Sequence, residues 1–262
     1  ENMGQMLSPE FGDLDGDGDM DLLVGDFNGF IQYFENTSSG NNLTFTFIEE
    51  VGDIDLSGNS VPTFGDLDND GDLDMLIGQL NGSLVYYQNI GSVTQYNFQA
   101  STFDDIQVEN NSAPELFDVD GDGDLDLMLG SDDEGILDFR NRGSANTFEF
   151  QQTSNLGLPK IGVNTKPALG DLFELGKIDL ISGVSTGGVY HIQLEICTAM
   201  GDLNGDGGFN VLDIVTLANC VLAENCYELD YGCAGDMNQD GGWNVLDIVT
   251  LANCVLAENC AG

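Results

Sequence analysis

Asp13-Leu14-Asp15-Gly16-Asp17-Gly18-Asp19-Met20-Asp21 runs straight into Leu22-Leu23-Val24-Gly25. With Asp13 as position 1, carboxylates occupy positions 1, 3, 5, 7 and 9, and Gly18 holds position 6. Five carboxylates this close repel one another unless a cation sits among them. Calcium takes about six to eight oxygens at about 2.3–2.6 Å, and a glycine lets such a loop turn sharply. The stretch predicts a calcium loop with Asp13, Asp15, Asp17, Asp19 and Asp21 as ligands, feeding a short apolar strand. The plainer alternative is a solvated acidic turn.

Recurrence weighs against that alternative, because internal repeats decide a fold. Asp66, Asp68, Asp70, Asp72 and Asp74 repeat the spacing ahead of Met75-Leu76-Ile77-Gly78. Asp118, Asp120, Asp122, Asp124 and Asp126 repeat it ahead of Leu127-Met128-Leu129-Gly130. Pro9, Pro62, Pro114 and Pro167 keep step upstream, at intervals of 53, 52 and 53 residues. A fourth copy keeps Asp171 and Asp179 at positions 1 and 9 but places Phe173 and Leu175 among the ligand positions. It is expected to keep the fold without the metal.

After each apolar strand comes a turn: Asn28-Gly29, Asn81-Gly82 or Glu134-Gly135. An alternating strand follows (30–35, 83–89, 136–141), then a polar loop and an outer strand (43–51, 96–100, 147–152). Short β runs punctuated by Gly and Asn at a regular period predict hairpin-built blades. The motif Asp-x-Asp-x-Asp-Gly-x-x-Asp followed by an apolar strand resembles the FG-GAP/VCBS repeats of integrin-α-like β-propellers, over about residues 5–195. The resemblance implies four-stranded blades holding calcium in an inter-strand loop. Such propellers usually have about seven blades. Four repeats fit either a small closed ring or a partial ring completed by another chain. Counting periods outward leaves one blade without an outer strand, and an open edge is a template for another strand. A trimmed N-terminus would give the same count.

Five Lys plus Arg stand against 46 Asp plus Glu, a formal charge of −41. Such a surface repels nucleic acid and anionic membranes. A hydrophobic share of 41% with ordered periodicity argues against disorder. Neither a transmembrane run nor a signal peptide is present; a secretory leader, if encoded, has been removed or left out. All six cysteines lie between Cys197 and Cys260, without a C-x-x-C pair, which favours disulfides over zinc and places the chain outside the cell. The sequons at Asn36, Asn42, Asn81 and Asn110 would be open to glycans there.

From about residue 196 the chain changes character. The segments 210–226 and 244–260 are identical, displaced by 34 residues. Ahead of them, Asp202, Asn204, Asp206, Gly208 (through its carbonyl), Asn210 and Asp213 stand at EF-hand ligand positions. Asp236, Asn238, Asp240, Gly242, Asn244 and Asp247 repeat that set. Val211, Leu212, Ile214, Val215, Leu217, Ala218, Val221 and Leu222 fit a helical apolar face, mostly as core. The segment resembles a type I dockerin, a tandem of calcium loop and helix that attaches proteins to cohesin partners. Cellulosomal dockerins use polar residues just after the loop to choose the cohesin, whereas Val211-Leu212 and Val245-Leu246 stand here. An apolar face in that place would suit docking onto another copy of the chain. Three disulfides would staple so small a domain. Cys220 and Cys226, six apart, are not expected to pair if their helix continues.

Catalysis needs a positioned nucleophile, base or open metal. The only histidine, His191, falls in an alternating strand and reads as structural. Trp243 stands where Phe209 stands in the first loop, which reads as packing. The acids have calcium spacing, although two could converge as a glycosidase pair. The expectation is a mainly β chain: a small propeller of four repeats with a period of 52–53 at 1–195, and an α module of two loop–helix repeats at 196–262. About five calcium sites follow, three in the propeller and two in the module. A secreted, non-catalytic role follows too. It consists of self-assembly with other subunits into a fibre or surface matrix, or else a ligand- or carbohydrate-binding propeller plugged into a cohesin scaffold.

Overall fold

The computed structural model describes the chain outside residues 1–4, 41, 52–55, 102, 104–105, 120–122, 145, 154–157, 159–161, 163, 173–177, 195–200, 205–207, 224, 227–231, 238–242 and 258–262. Among the described residues, fifteen strands and two α-helices follow in order. Blade 1 holds β1 (Ser8–Gly12), β2 (Asp21–Gly25), β3 (Ile31–Asn36) and β4 (Phe45–Glu50). Blade 2 holds β5 (Val61–Gly65), β6 (Asp74–Gly78), β7 (Leu84–Asn89) and β8 (Phe98–Ser101). Blade 3 holds β9 (Ala113–Phe117), β10 (Asp126–Gly130), β11 (Ile136–Asn141) and β12 (Phe150–Thr153). Blade 4 holds β13 (Lys166–Gly170), β14 (Ile178–Gly183) and β15 (Val189–Leu194). Each sheet is an antiparallel meander in chain order, and together they form a four-blade β-propeller.

Two differences from the sequence reading stand out. The innermost strands β1, β5, β9 and β13 precede the acidic loops, where sequence showed only a proline in step. Proline is tolerated on an edge strand, and the inner strand of a blade is such an edge. The outer strands are also shorter than expected. Blade 4 has three strands among the described residues, so its edge is β15, where Val189 is 72% and Tyr190 44% exposed.

The core lies between blades. Leu14, Leu23, Ile31, Tyr33 and Val51 of blade 1 pack on Phe64, Met75 and Ile77 of blade 2. Leu67, Leu76, Tyr86 and Val108 pack on Leu116, Phe139 and Phe150 of blade 3, with Phe103 and Phe148 adding a cluster of rings. Val119, Met128 and Ile136 pack on Ile178, Leu180 and Leu194 of blade 4.

Backbone staples repeat beside each core. Asp26 N–H donates to Ser60 Oγ at 2.9 Å, Gln79 N–H to Ser112 Oγ at 2.8 Å, and Ser131 N–H to Thr165 Oγ1 at 3.0 Å. One residue earlier, Asn59, Asn111 and Asn164 donate their N–H to Phe27, Leu80 and Asp132 carbonyls. These asparagines have φ of 50°, 50° and 54°, a left-handed backbone that Asn tolerates.

Near the axis, burial and then the charge of Glu115 push the Glu10 carboxyl up to about 8. Glu115 accepts from Leu169 N–H at 3.3 Å, and burial raises it to about 7. Lys166 Nζ donates to Ser8 Oγ at 2.7 Å, joining β13 to β1.

Beyond the propeller lie α1 (Val211–Ala223), a 3-10 turn (Gly232–Gly235) and α2 (Val245–Ala257). Leu203, Leu217, Cys220, Cys226, Ala234 and Leu251 form their core, and Trp243 packs against it as expected. Two sequence readings need correction. Cys220 and Cys226 are disulfide-bonded, with Cα atoms 4.7 Å apart, because α1 stops at Ala223 and the chain folds back. Asn225 N–H, donating to Cys220 O at 3.1 Å, marks that reversal. In addition, Val211, Leu212, Val215 and Leu222 are not core; they are 48–83% exposed. Cys254 is also bridged, while Cys197 and Cys260 lie outside the described residues.

Candidate metal centres

Each acidic loop connects the inner strand of a blade to the next strand, and its first carboxylate organises it. Asp13 accepts from Gly16 N–H at 2.7 Å and Gly18 N–H at 3.0 Å. Asp66 accepts from Asp70 N–H at 3.1 Å and Gly71 N–H at 3.0 Å, and Asp118 from Gly123 N–H at 3.1 Å. These bonds curl the backbone so that alternate side chains converge. Carboxylate oxygens of Asp13, Asp15 and Asp21 lie within 4.8 Å of one another, as do those of Asp66, Asp68 and Asp70. Asp17 and Asp19 are exposed, and Asp124 is half-buried. Asp120 and Asp122 lie outside the described residues.

The second loop provides the test of fit. Asp68 Oδ1 and Asp72 Oδ1 are buried without a hydrogen-bond partner. Burial, and then the charges of Asp70, Asp74, Asp68 and Asp66, push the Asp72 carboxyl up to about 6. Burial likewise raises Asp15. Buried carboxylate oxygens without donors, crowded by like charge, suit a hard divalent cation.

The ninth position does more than sequence disclosed. Asp21, Asp74, Asp126 and Asp179 are all buried and accept the N–H of the second loop residue, Leu14, Leu67, Val119 or Leu172, at 3.0–3.1 Å. The first three also accept Asn36, Asn89 and Asn141 N–H at 2.7–2.9 Å. A third-strand side chain completes each latch. Tyr33 and Tyr86 hydroxyls donate at 3.0 and 2.9 Å, Arg140 forms a buried ion pair at 2.9 Å, and His191 Nε2 meets Asp179 at 2.6 Å. This latch accounts for the survival of Asp179 in the blade whose third, fifth and seventh loop positions are Phe173, Leu175 and Lys177, and it gives His191 its structural partner. The recurrence of Tyr33 and Tyr86, each 12 residues after its aspartate, was the available signal.

In the C-terminal region, Asn210 Oδ1 accepts Leu212 N–H at 2.8 Å, and Asp213 reaches back to Asn210 N–H at 2.8 Å. Asn244 and Asp247 repeat both bonds. Each pair is a capping box that starts its helix. Asp213 also accepts from Leu203 and Asn204 N–H, which folds the loop over the helix start. Asp202 is buried, Asn204 exposed, and Gly208 and Asp236 half-buried. Asp206, Asn238, Asp240 and Gly242 lie outside the described residues.

The described residues thus form a four-blade propeller with acidic inter-strand loops, followed by two capped loop–helix repeats. Comparison with known families agrees: residues 6–77 match the FG-GAP-like repeat, and residues 200–256 match the dockerin type I domain. Comparison with curated proteins finds no match. Type I dockerin domains bind calcium and cohesins, and both domain types are typical of extracellular or cell-surface proteins. Among the described residues no helix is long and apolar enough to cross a membrane.

Proposed function

We propose that this is a secreted, non-catalytic, calcium-loaded structural protein of two domains, 1–195 and 196–262. Its C-terminal module docks on other subunits to build an extracellular fibre or matrix. Asp13, Asp15, Asp17, Asp19 and Asp21, their counterparts at 66–74 and 118–126, and the two dockerin-region sets would hold about five calcium ions. Bound calcium would neutralise carboxylates that otherwise repel and would fix the geometry of the loops.

One observation carries the assembly reading. Val211, Leu212, Val215 and Leu222 are exposed on α1, and Val245, Leu246, Val249 and Leu256 repeat them on α2, with Leu222 and Leu256 at 83% and 82%. Contiguous exposed apolar side chains mark interaction sites. The dockerin match favours a second reading, in which a cohesin-type partner takes this face and the propeller holds a ligand or glycan.

Light scattering and negative-stain imaging in millimolar calcium, then after chelation, separate the two. Filaments that dissolve on chelation are expected. A monodisperse monomer in calcium would overturn self-assembly and leave the cohesin reading.

A further inference from the structure

The three packed blade interfaces act as internal controls for the seam between blade 4 and blade 1. On the trailing side, the second loop residue is a buried peg: Leu14 is 3%, Leu67 2% and Val119 1% exposed, whereas Leu172 in blade 4 is 52% exposed. The backbone of Gly25, Gly78 and Gly130 lies so close to the carbonyl of Ser60, Ser112 or Thr165 that an added Cβ would overlap it. At Gly183, their counterpart, nothing lies within 4 Å of that point among the described residues.

The leading side of blade 1 matches. Phe64 and Leu116 are 9% and 7% exposed, but Phe11 is 56%. Leu43, at the place of the half-buried Tyr96 and Phe148, is 75% exposed. Met6 holds φ of 53°, the same left-handed backbone as Asn59, Asn111 and Asn164, which each donate an N–H to the preceding blade. Blade 1 is thus shaped for a preceding blade, and blade 4 for a following one.

We propose that this seam is an interface between copies: the trailing face of blade 4 receives the leading face of blade 1 of a second molecule. The occupant follows from repeat register, because the three internal joints show what each face binds, namely another blade of this repeat. The chain's own blade 1 is tethered nearby through Lys166 and Ser8, yet the faces remain unsealed. Docking a second molecule there requires the Lys166–Ser8 hydrogen bond across the seam to open, because it holds the chain's own β1 beside β13. Two complementary faces on opposite sides make a heterologous, head-to-tail contact, which propagates unless it closes into a ring. The inference deepens the self-assembly reading and rests on it in requiring a second copy, but it adds a joint apart from the helices.

The test uses the 262-residue chain in millimolar calcium. Leu7→Cys and Val184→Cys are made singly and together, since their counterparts Ser60 and Asp26 are hydrogen-bonded at 2.9 Å across a packed joint, and Gly183 is left intact because a Cβ there would overlap the incoming carbonyl. Among the described residues no native cysteine is free to compete. Mixing the two single variants under mild oxidation should give several-fold more cross-linked dimer than either alone, and the double variant should give a ladder. A double variant bridged only within one chain, or no bridging, overturns the proposal. Repeating the mixture with Leu212→Asp and Leu246→Asp added separates the two joints: seam cross-links should persist after helix-mediated assembly is lost. Phe11→Asp, checked for folding by circular dichroism, should abolish the ladder.

Discussion

The Tyr86 hydroxyl donates to the buried carboxylate of Asp74 across 2.9 Å, tying the third strand of blade 2 to the end of its acidic loop. Asp74 also accepts Leu67 and Asn89 N–H. Tyr86→Phe should cost about 1 kcal/mol, a single hydrogen bond. Asp74→Ala strands three donors and should cost about 3 kcal/mol or more. Urea unfolding of both variants in saturating calcium checks the ranking.

Asp72 should give effects of opposite sign with and without calcium. Its carboxyl is buried among like charges, so Asp72→Asn should raise the Tm of the chelated protein. With calcium the same variant should lose stabilisation, since a site held at a hundredfold excess over Kd contributes about 2.7 kcal/mol. Calorimetry in chelator and in calcium reads both signs.

Glu10 predicts a pH dependence. Its folded carboxyl is raised from the ordinary 4.5 to about 8, so between those values the folded state binds more protons than the unfolded one. Its contribution is therefore full below about pH 4.5 and lost as pH rises through 8. Glu115, raised to about 7, acts in the same direction. Glu10→Gln should raise Tm at pH 8 and leave it nearly unchanged at pH 4.5, read as a difference from the native chain at equal calcium.

Breaking the Cys220–Cys226 bridge by double substitution to Ser should cost the C-terminal module about 2 kcal/mol, the loop-closure value for so short a loop. The propeller transition should not move. Two-transition thermal scans would show whether only the module responds.

Leu222→Asp with Leu256→Asp should leave Tm unchanged, because both side chains are more than four-fifths exposed. Assembly in calcium should fall sharply. Scattering intensity at matched concentration measures it.

Much of this was legible in the sequence because the repeat supplied copies to compare. The acidic loops, the apolar strands after them and the capped helices all follow from local spacing. The inner strands did not, since five residues beginning Ser8-Pro9 carry too short a pattern to mark a strand. The latch role of Asp21 and Asp74 was hidden by their ligand spacing, which already offered a reason for a carboxylate at those positions. The exposed half of α1 was misread because Val211, Leu212 and Leu222 keep helical periodicity; only the packing of Leu217 and Leu251 shows which face is inside. The Cys220–Cys226 bridge depended on where the helix ends, and no glycine or proline announces the stop at Ala223.

The joint between blades 1 and 2 uses the same staples and the same kind of peg as the joint between blades 2 and 3. Excising one period, from Ser60 through Asn111, would therefore bring Gly25 against Ser112 and Leu14 against Leu116, surfaces already cut to fit. Duplicating that period would be equally silent. Length in this chain is a free variable, and a gene can lengthen or shorten it by unequal crossover without inventing a new contact.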